Sequence, residues 1–208
     1  MKIIVYTCIT GGHDWIKTFQ REMNVDYVCF TDSELGEHPL WNLEKAPTEF
    51  ADPRRNARKS KILSHRYFPG HDYSIWIDGA LSPKVNFKEL IESLGDFDIA
   101  VLKHPDRECL YREAHVCISS QLDNQNIILD QIDRYSQEDC PEKLPMAETR
   151  VVIRRHTPKI CKFNELWWNE IKKGSKRDQI SFPYCCWKLG INWKELSRKD
   201  FNYSKHKK

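Results

Sequence analysis

Asp78 is the sharpest chemical signal in the sequence. It ends the apolar run Tyr73–Ile77 (YSIWI) and is followed by Gly79 and Ala80, so a carboxylate stands at a strand's carboxyl end beside residues with little or no side chain. Packing explains such a carboxylate poorly. It either caps the next turn or binds a divalent metal, because magnesium and manganese take oxygen ligands and leave positions open for diphosphate oxygens. Upstream, Arg54 to Arg66 holds six basic residues and no acid. Arg54, Arg58 and Lys61 are four and three residues apart and share one helical face, whereas Arg55 and Lys59 point elsewhere, toward solvent. That face is either a solvated surface or an anion site, and in the second case the planar Arg forks suit a diphosphate.

Two further clusters and one histidine carry possible chemistry. His104, Arg107, Tyr111 and Glu113 fall within ten residues just past a strand end. Polar groups that dense could hold a hydroxylated ligand, although Glu113 equally suits a first helical turn. Arg177-Asp178-Gln179 lies between Trp167-Trp168 and the aromatics Phe182, Tyr184 and Trp187. The stripe is either a sugar site, with pyranose C–H faces on the rings, or core. His156 follows VVIRR and is either a metal or phosphate contact or a satisfied loop histidine.

The elements that must position these groups are legible as alternating strands and helices. Lys2 to Ile9 is a buried first strand that breaks at Gly11-Gly12, a loop able to approach a ligand closely. Val25 to Thr31 is a second strand, closed by Asp32; Tyr73–Ile77 is a third, and Asp98 to Lys103 a fourth. The basic segment forms a helix that stops at Pro69-Gly70. Residues 113–135 are helical, Arg150 to Ile153 is a short strand, and helices follow over 160–173 and 177–189. This order implies one α/β domain with a mixed, mostly parallel sheet flanked by helices. Ligands of such sheets sit outside the carboxyl ends of the strands, where Thr7 to Gly12, Asp32, Asp78 and His104 would gather. The domain spans residues 1–190, and 191–208 is a C-terminal extension with the basic tail KHKK.

Bulk properties narrow the function classes. The chain has 208 residues and 40% hydrophobic, 30% charged side chains, which excludes disordered and fibrous classes. A net charge of +3 is too small to argue for nucleic acid or a membrane by bulk attraction. The eight cysteines form no C-x-x-C pair and mostly sit in apolar runs, as reduced core thiols of a cytoplasmic protein would. No signal peptide or transmembrane helix is legible.

Five motifs in order resemble a known family. R-x-N-x-R-x-x-K-x-x-x-H-R-x-F-P with YSIWIDG (Arg54 to Gly79), HP-x-R-x-C-x-Y-x-EA (His104 to Ala114), RHTP (Arg155 to Pro158), WWNE (Trp167 to Glu170) and RDQ-x-SF-x-Y (Arg177 to Tyr184) are similar to the glycosyltransferase-like domain of the plant TOD/MUCI type. The resemblance implies a GT-A-like, Rossmann-related fold and transfer of a glycosyl group from a nucleotide-diphosphate sugar, UDP-linked by default, to a glycan, protein or lipid acceptor. It further implies that Thr7, Thr10, Gly11 and Asp32 hold the nucleoside. Arg54, Arg58 and Lys61 would face the diphosphate. Asp78, with Gly79 and Ala80 beside it, would bind that group through Mn2+ or Mg2+, with His156 as second ligand. His104, Arg107 and Gln179 complete the donor site, Asp178 is the first candidate for the acceptor's base, and Glu113 is the second. One departure stands out: many GT-A enzymes carry Asp-x-Asp at the metal, but here the third position is Ala80. It motivates one rival reading, a catalytically inactive scaffold; the basic helix motivates another, an RNA-binding module.

Overall fold

The computed structural model describes residues 1–12 and 14–204; His13 and the basic tail, residues 205–208, lie outside the described residues. β1 (Ile3–Ile9) is buried along its whole length, as a central parallel strand covered on both faces must be. Its alternate side chains serve two cores: Ile4, Tyr6 and Cys8 face the helices, and Ile3, Val5 and Ile9 face the opposite layer. β2 (Val25–Thr31), β3 (Asn42–Lys45) and β4 (Tyr73–Ile77) follow in chain order. β7 (Ala147–Arg155), β6 (Ile99–Lys103) and β8 (Lys194–Leu196) complete a seven-stranded sheet of order β3-β2-β1-β4-β7-β6-β8. All neighbours are parallel except at β7, which pairs antiparallel with both β4 and β6. The mostly parallel sheet expected from the sequence is therefore present, with one strand reversed.

The first face is covered by α1 (Pro53–Ile62), α2 (Ser64–Tyr67), α4 (Leu110–Ser119), α5 (Gln125–Gln137), α6 (Pro158–Lys173) and α7 (Asp178–Lys188). The second face is covered by α3 (Phe87–Leu94) and by loop side chains such as Phe19, Leu40 and Trp41. A two-stranded sheet joins β5 (Leu81–Pro83) to β9 (Phe201–Tyr203). β8 and β9 thus tie residues 194–196 and 201–203 of the expected C-terminal extension into the two sheets.

Local chemistry sets the helix that matters most. Asp52 caps α1 by accepting from Arg54 N–H at 2.9 Å, and Pro53 occupies the first turn, where its missing donor is harmless. The basic segment breaks at Leu63 into α1 and α2 instead of running as one helix. Arg154 on β7 explains the anchoring of that break. Its guanidinium is fully buried and donates to the terminal carbonyls of α1, Ile62 O at 3.0 Å and Lys61 O at 2.5 Å, and to Asn164 Oδ1 at 3.0 Å. A cation at a helix C-terminus is favoured by the dipole. Arg55, expected in solvent, instead donates to Ile171 O and to Gly174 O (2.8 Å), closing the C-terminus of α6. Among the described residues, no helix is long and apolar enough to cross a membrane.

Candidate functional site

A cavity of about 420 Å3 opens at the carboxyl ends of β1 and β4, beneath α1 and the first turn of α7. Asp178 sits at its base, 3% exposed. Its Oδ2 accepts from Lys61 Nζ at 2.6 Å and from Thr149 Oγ1 at 2.9 Å, and its Oδ1 lies 3.2 Å from Arg58 Nε. Burial would raise the Asp178 pKa, but Arg58 and Lys61 outweigh burial and hold it far below the usual carboxylate range. A group so reluctant to take a proton makes a poor general base. The geometry makes Asp178 an anchor for two cations.

Lys61 reaches the cavity only at its rear, already paired, and not as the open cation expected. Its side chain is 1% exposed, and Nζ lies between Asp178 Oδ2 and Asp78 Oδ1, the latter at 3.9 Å. Burial draws its pKa below the ordinary lysine value, against the pull of both carboxylates. Arg58 lines the cavity and Arg54, one turn earlier, is exposed beside it, so the cationic face read from the spacing is present with its buried member at the rear. Asp78 Oδ1 also accepts from the Trp76 indole at 2.6 Å. Gly79 is required for fit: a Cβ there would lie 2.4 Å from Ile9 Cδ1 and 3.0 Å from Asp14 Oδ2. That contact brings Asp14, which the sequence did not single out, to the cavity wall together with Thr149, Arg150 and Arg177.

The remaining candidates divide clearly. Thr10 and Gln179 line the cavity, Thr10 donating to Pro53 O at 3.1 Å. Gly11, in the left-handed region at φ 65°, donates its N–H to Asp32 Oδ2 at 2.7 Å, so Asp32 fixes the loop from outside the cavity. Thr7 points to the opposite sheet face, into a pinched space with Ile77 and Trp41, and cannot hold a nucleoside in this cavity. Ala80 is fully buried, and its carbonyl accepts from Ser204 N–H at 2.9 Å. His104, Arg107 and Glu113 do form a cluster, with Arg107 NH1 2.9 Å from Glu113 Oε2 and 3.0 Å from His104 Nε2. They stand past β6, however, and none lines the cavity, which removes Glu113 as an acceptor base there.

His156 is the clearest correction. β7 runs antiparallel to β4, so Tyr73 pairs with Arg155 while Asp78 N–H bonds Arg150 O. His156 N–H accordingly bonds Asp72 O at 2.8 Å, at the opposite edge of the sheet from Asp78. Its imidazole stands by Ser64 Oγ (3.4 Å), its pKa lowered to about 4 by burial and by nearby Arg154 and two histidines. It cannot share a metal with Asp78. A larger groove, about 550 Å3 between α7 and β8, has Pro145, Pro183, Trp187 and Trp193 on its walls and Lys103 and Glu195 as its charged members. It lacks the converging carboxylates and guanidinium groups of the first cavity.

The description TOD1/MUCI70, glycosyltransferase-like domain, fits residues 32–207, which include every element of the cavity except β1 and its loop. The chain belongs to this family. Two curated Arabidopsis thaliana proteins are similar: the probable hexosyltransferase MUCI70, 34% identical over 64% of this chain and 25% of that protein, and the alkaline ceramidase TOD1, 24% identical over 74% and 36%. The chain therefore spans about a quarter to a third of the relatives it matches. Among solved structures, the Mn/GDP form of core-mannan synthase A (CmsA/Ktr4) from Aspergillus fumigatus aligns with a TM-score of 0.52, 9% identity, over 98% of this chain and 74% of that one. The apo structure of the bifunctional glycosyltransferase WbbM aligns at 0.51 and 13% identity, over 93% and 38%. At these identities the likeness establishes a GT-A-like fold.

Proposed function

We propose that this family member transfers a glycosyl group from a nucleoside-diphosphate sugar to a glycan, protein or lipid hydroxyl. The observation that carries the reading is the ionic wall of the cavity. Arg54, Arg58, Lys61, Arg150 and Arg177 face Asp14, Asp78 and Asp178, which leaves two positive charges in excess on its lining. Transfer breaks the bond from the anomeric carbon to the diphosphate, and negative charge grows on the departing oxygen. Arg54 and Arg58 offer donors there, Arg58 already oriented by Asp178 before the reaction begins. Asp178, itself paired with Lys61, holds Arg58 in place from behind. Thr10, Gly11 and Asp32 shape the loop that would receive the nucleoside, and Gln179 lines the cavity from α7, where a donor would meet it.

UDP-sugars are the first donors to test and GDP-sugars the second, since the core-mannan synthase was solved with GDP. The experiment is calorimetric titration with a panel of both, followed by detection of released nucleotide on adding candidate acceptors. One donor should bind, and Arg58→Ala should slow transfer by on the order of 10²-fold to 10³-fold, the usual effect of losing one such donor. Arg58→Ala turnover within about twofold of wild type would remove this role from Arg58. Absence of binding by every donor, with hydrolysis of ceramide instead, would overturn the reading in favour of the activity named for TOD1; absence of both leaves a scaffold.

A further inference from the structure

The metal expected at Asp78 does not fit the groups around it. One oxygen, Oδ1, already accepts the Trp76 indole at 2.6 Å and faces Lys61 Nζ at 3.9 Å. The second acidic position of an Asp-x-Asp pair is Ala80, whose side chain is fully buried. His156 lies at the other edge of the sheet. Asp14 brings a further carboxylate to the wall, but among the described residues no three His, Cys, Asp or Glu side chains converge on one point. A divalent ion beside Asp78 would meet the Lys61 ammonium and the nearby guanidinium groups at short range, where like charges repel strongly.

We propose that Lys61 fills the place a divalent cation would need between Asp78 and Asp178, and that the donor diphosphate is met by Arg54 and Arg58 without metal. The proposal rests on the diphosphate reading above and specifies how that site gains its positive charge. Lys61 Nζ has surroundings that suit a fixed cation: Asp178 Oδ2 at 2.6 Å, Thr149 Oγ1 at 3.2 Å, Asp78 Oδ1 at 3.9 Å and the Trp76 ring centroid at 5.4 Å. It is also tethered from the far end, where the Lys61 carbonyl accepts from the Tyr6 hydroxyl at 2.6 Å and from Arg154. A cation held at both ends cannot follow the leaving group. Arg58, half-buried on the cavity wall, and the exposed Arg54 are left to meet it.

The test uses the wild-type chain. UDP, GDP and inorganic diphosphate, as sodium salts, are titrated calorimetrically in EDTA and again in Mn2+, while Mn2+ alone is titrated by electron paramagnetic resonance. At least one diphosphate should bind in EDTA with a Kd within about threefold of, or tighter than, that in Mn2+, and no stoichiometric Mn2+ site should be seen. Arg54→Ala, at an exposed position on the cavity lining, should weaken that metal-free binding by about tenfold. Lys61→Met opens the place between the carboxylates and should acquire Mn2+ binding that the wild type lacks. Loss of more than about tenfold in EDTA, or one equivalent of bound Mn2+ removed by Asp78→Asn, would overturn the inference while leaving the diphosphate reading intact. Silence of all three diphosphates in both media overturns both. A folded Lys61→Met that still ignores Mn2+ would remove Lys61 from the explanation; if that variant does not fold, the wild-type comparison decides alone.

Discussion

Asp178→Asn keeps the shape of the side chain and removes its charge. In the wild type one oxygen receives both Lys61 Nζ and Thr149 Oγ1 and the other faces Arg58, with Lys61 almost wholly buried. The amide would direct an N–H donor at one of these donors and leave two cations short of a counter-charge. Breaking a buried pair on one side costs about 3–5 kcal/mol, a large share of a typical total of about 5–15 kcal/mol. For a chain of this size that corresponds to a fall in Tm of roughly 6–20 °C. The pH dependence follows from the depressed Asp178 pKa. Its contribution is complete above the unfolded value of about 3.9 and fades as pH falls through the folded value, so the gap between wild type and variant narrows below about pH 4. On the alkaline side the variant's Lys61, deprived of its nearest carboxylate, has its pKa lowered further, and the folded variant gains stability as that proton leaves. The gap is therefore widest near neutrality. Thermal unfolding followed by circular dichroism from about pH 3.5 to about pH 9.5 measures it. A loss below about 1 kcal/mol at neutral pH would refute the reasoning, because an exposed pair would then suffice to explain the contact.

Two further substitutions separate the cavity from its scaffold. Gly79→Ala drives a methyl to 2.4 Å from Ile9 Cδ1 and against Asp14; stability should fall by about 1–3 kcal/mol, and UDP affinity should weaken as the loop before Asp14 is displaced. Unchanged affinity in calorimetry would show that this loop does not shape the donor site. Arg55→Ala removes the two carbonyl contacts that close α6, and stability should fall by roughly 1.5–3 kcal/mol in urea titration while UDP affinity stays within about twofold. The reverse pattern would mean that Arg55 belongs to the cavity after all.

The parts of the site that could be read in the sequence are those set by local spacing. Helical periodicity alone placed Arg54, Arg58 and Lys61 on one face, and the end of an apolar strand alone placed Asp78 at the sheet's carboxyl edge. What the spacing could not convey was depth: Lys61 shares the face but lies behind it, because the partner that buries it, Asp178, comes from another element. Strand direction was also hidden. VVIRR reads the same whether β7 runs with or against its neighbours, so nothing in the spacing could test the pairing of His156 with Asp78 that the resemblance implied. Asp14 gave no signal because its close approach to the chain at Gly79 depends on the absent side chain there. Arg55 looked solvated because its partners are carbonyls, which carry no residue identity. The short strands β3, β5, β8 and β9 and the helix α3 were not resolved as elements, being brief or weakly patterned.

The wide sequence separation of several side-chain contacts, one of them in the cavity, has a consequence for the order of folding. Lys61 meets Asp178 across 117 positions, Arg55 meets Gly174 across 119, and Lys17 meets Ser204 across 187. Contacts this distant cannot form until nearly the whole chain exists, and closing them carries the loop entropy of everything between. During synthesis β1, β2 and α1 emerge early, yet Lys61 has no counter-ion from α7 until much later. Chains stopped before α7 would leave Lys61 without its nearest carboxylate and the helix-side core without Ile180, Phe182 and Tyr184, uncovered apolar surface suited to aggregation. The cavity is thus complete only once α7 has been made and the chain has closed upon itself.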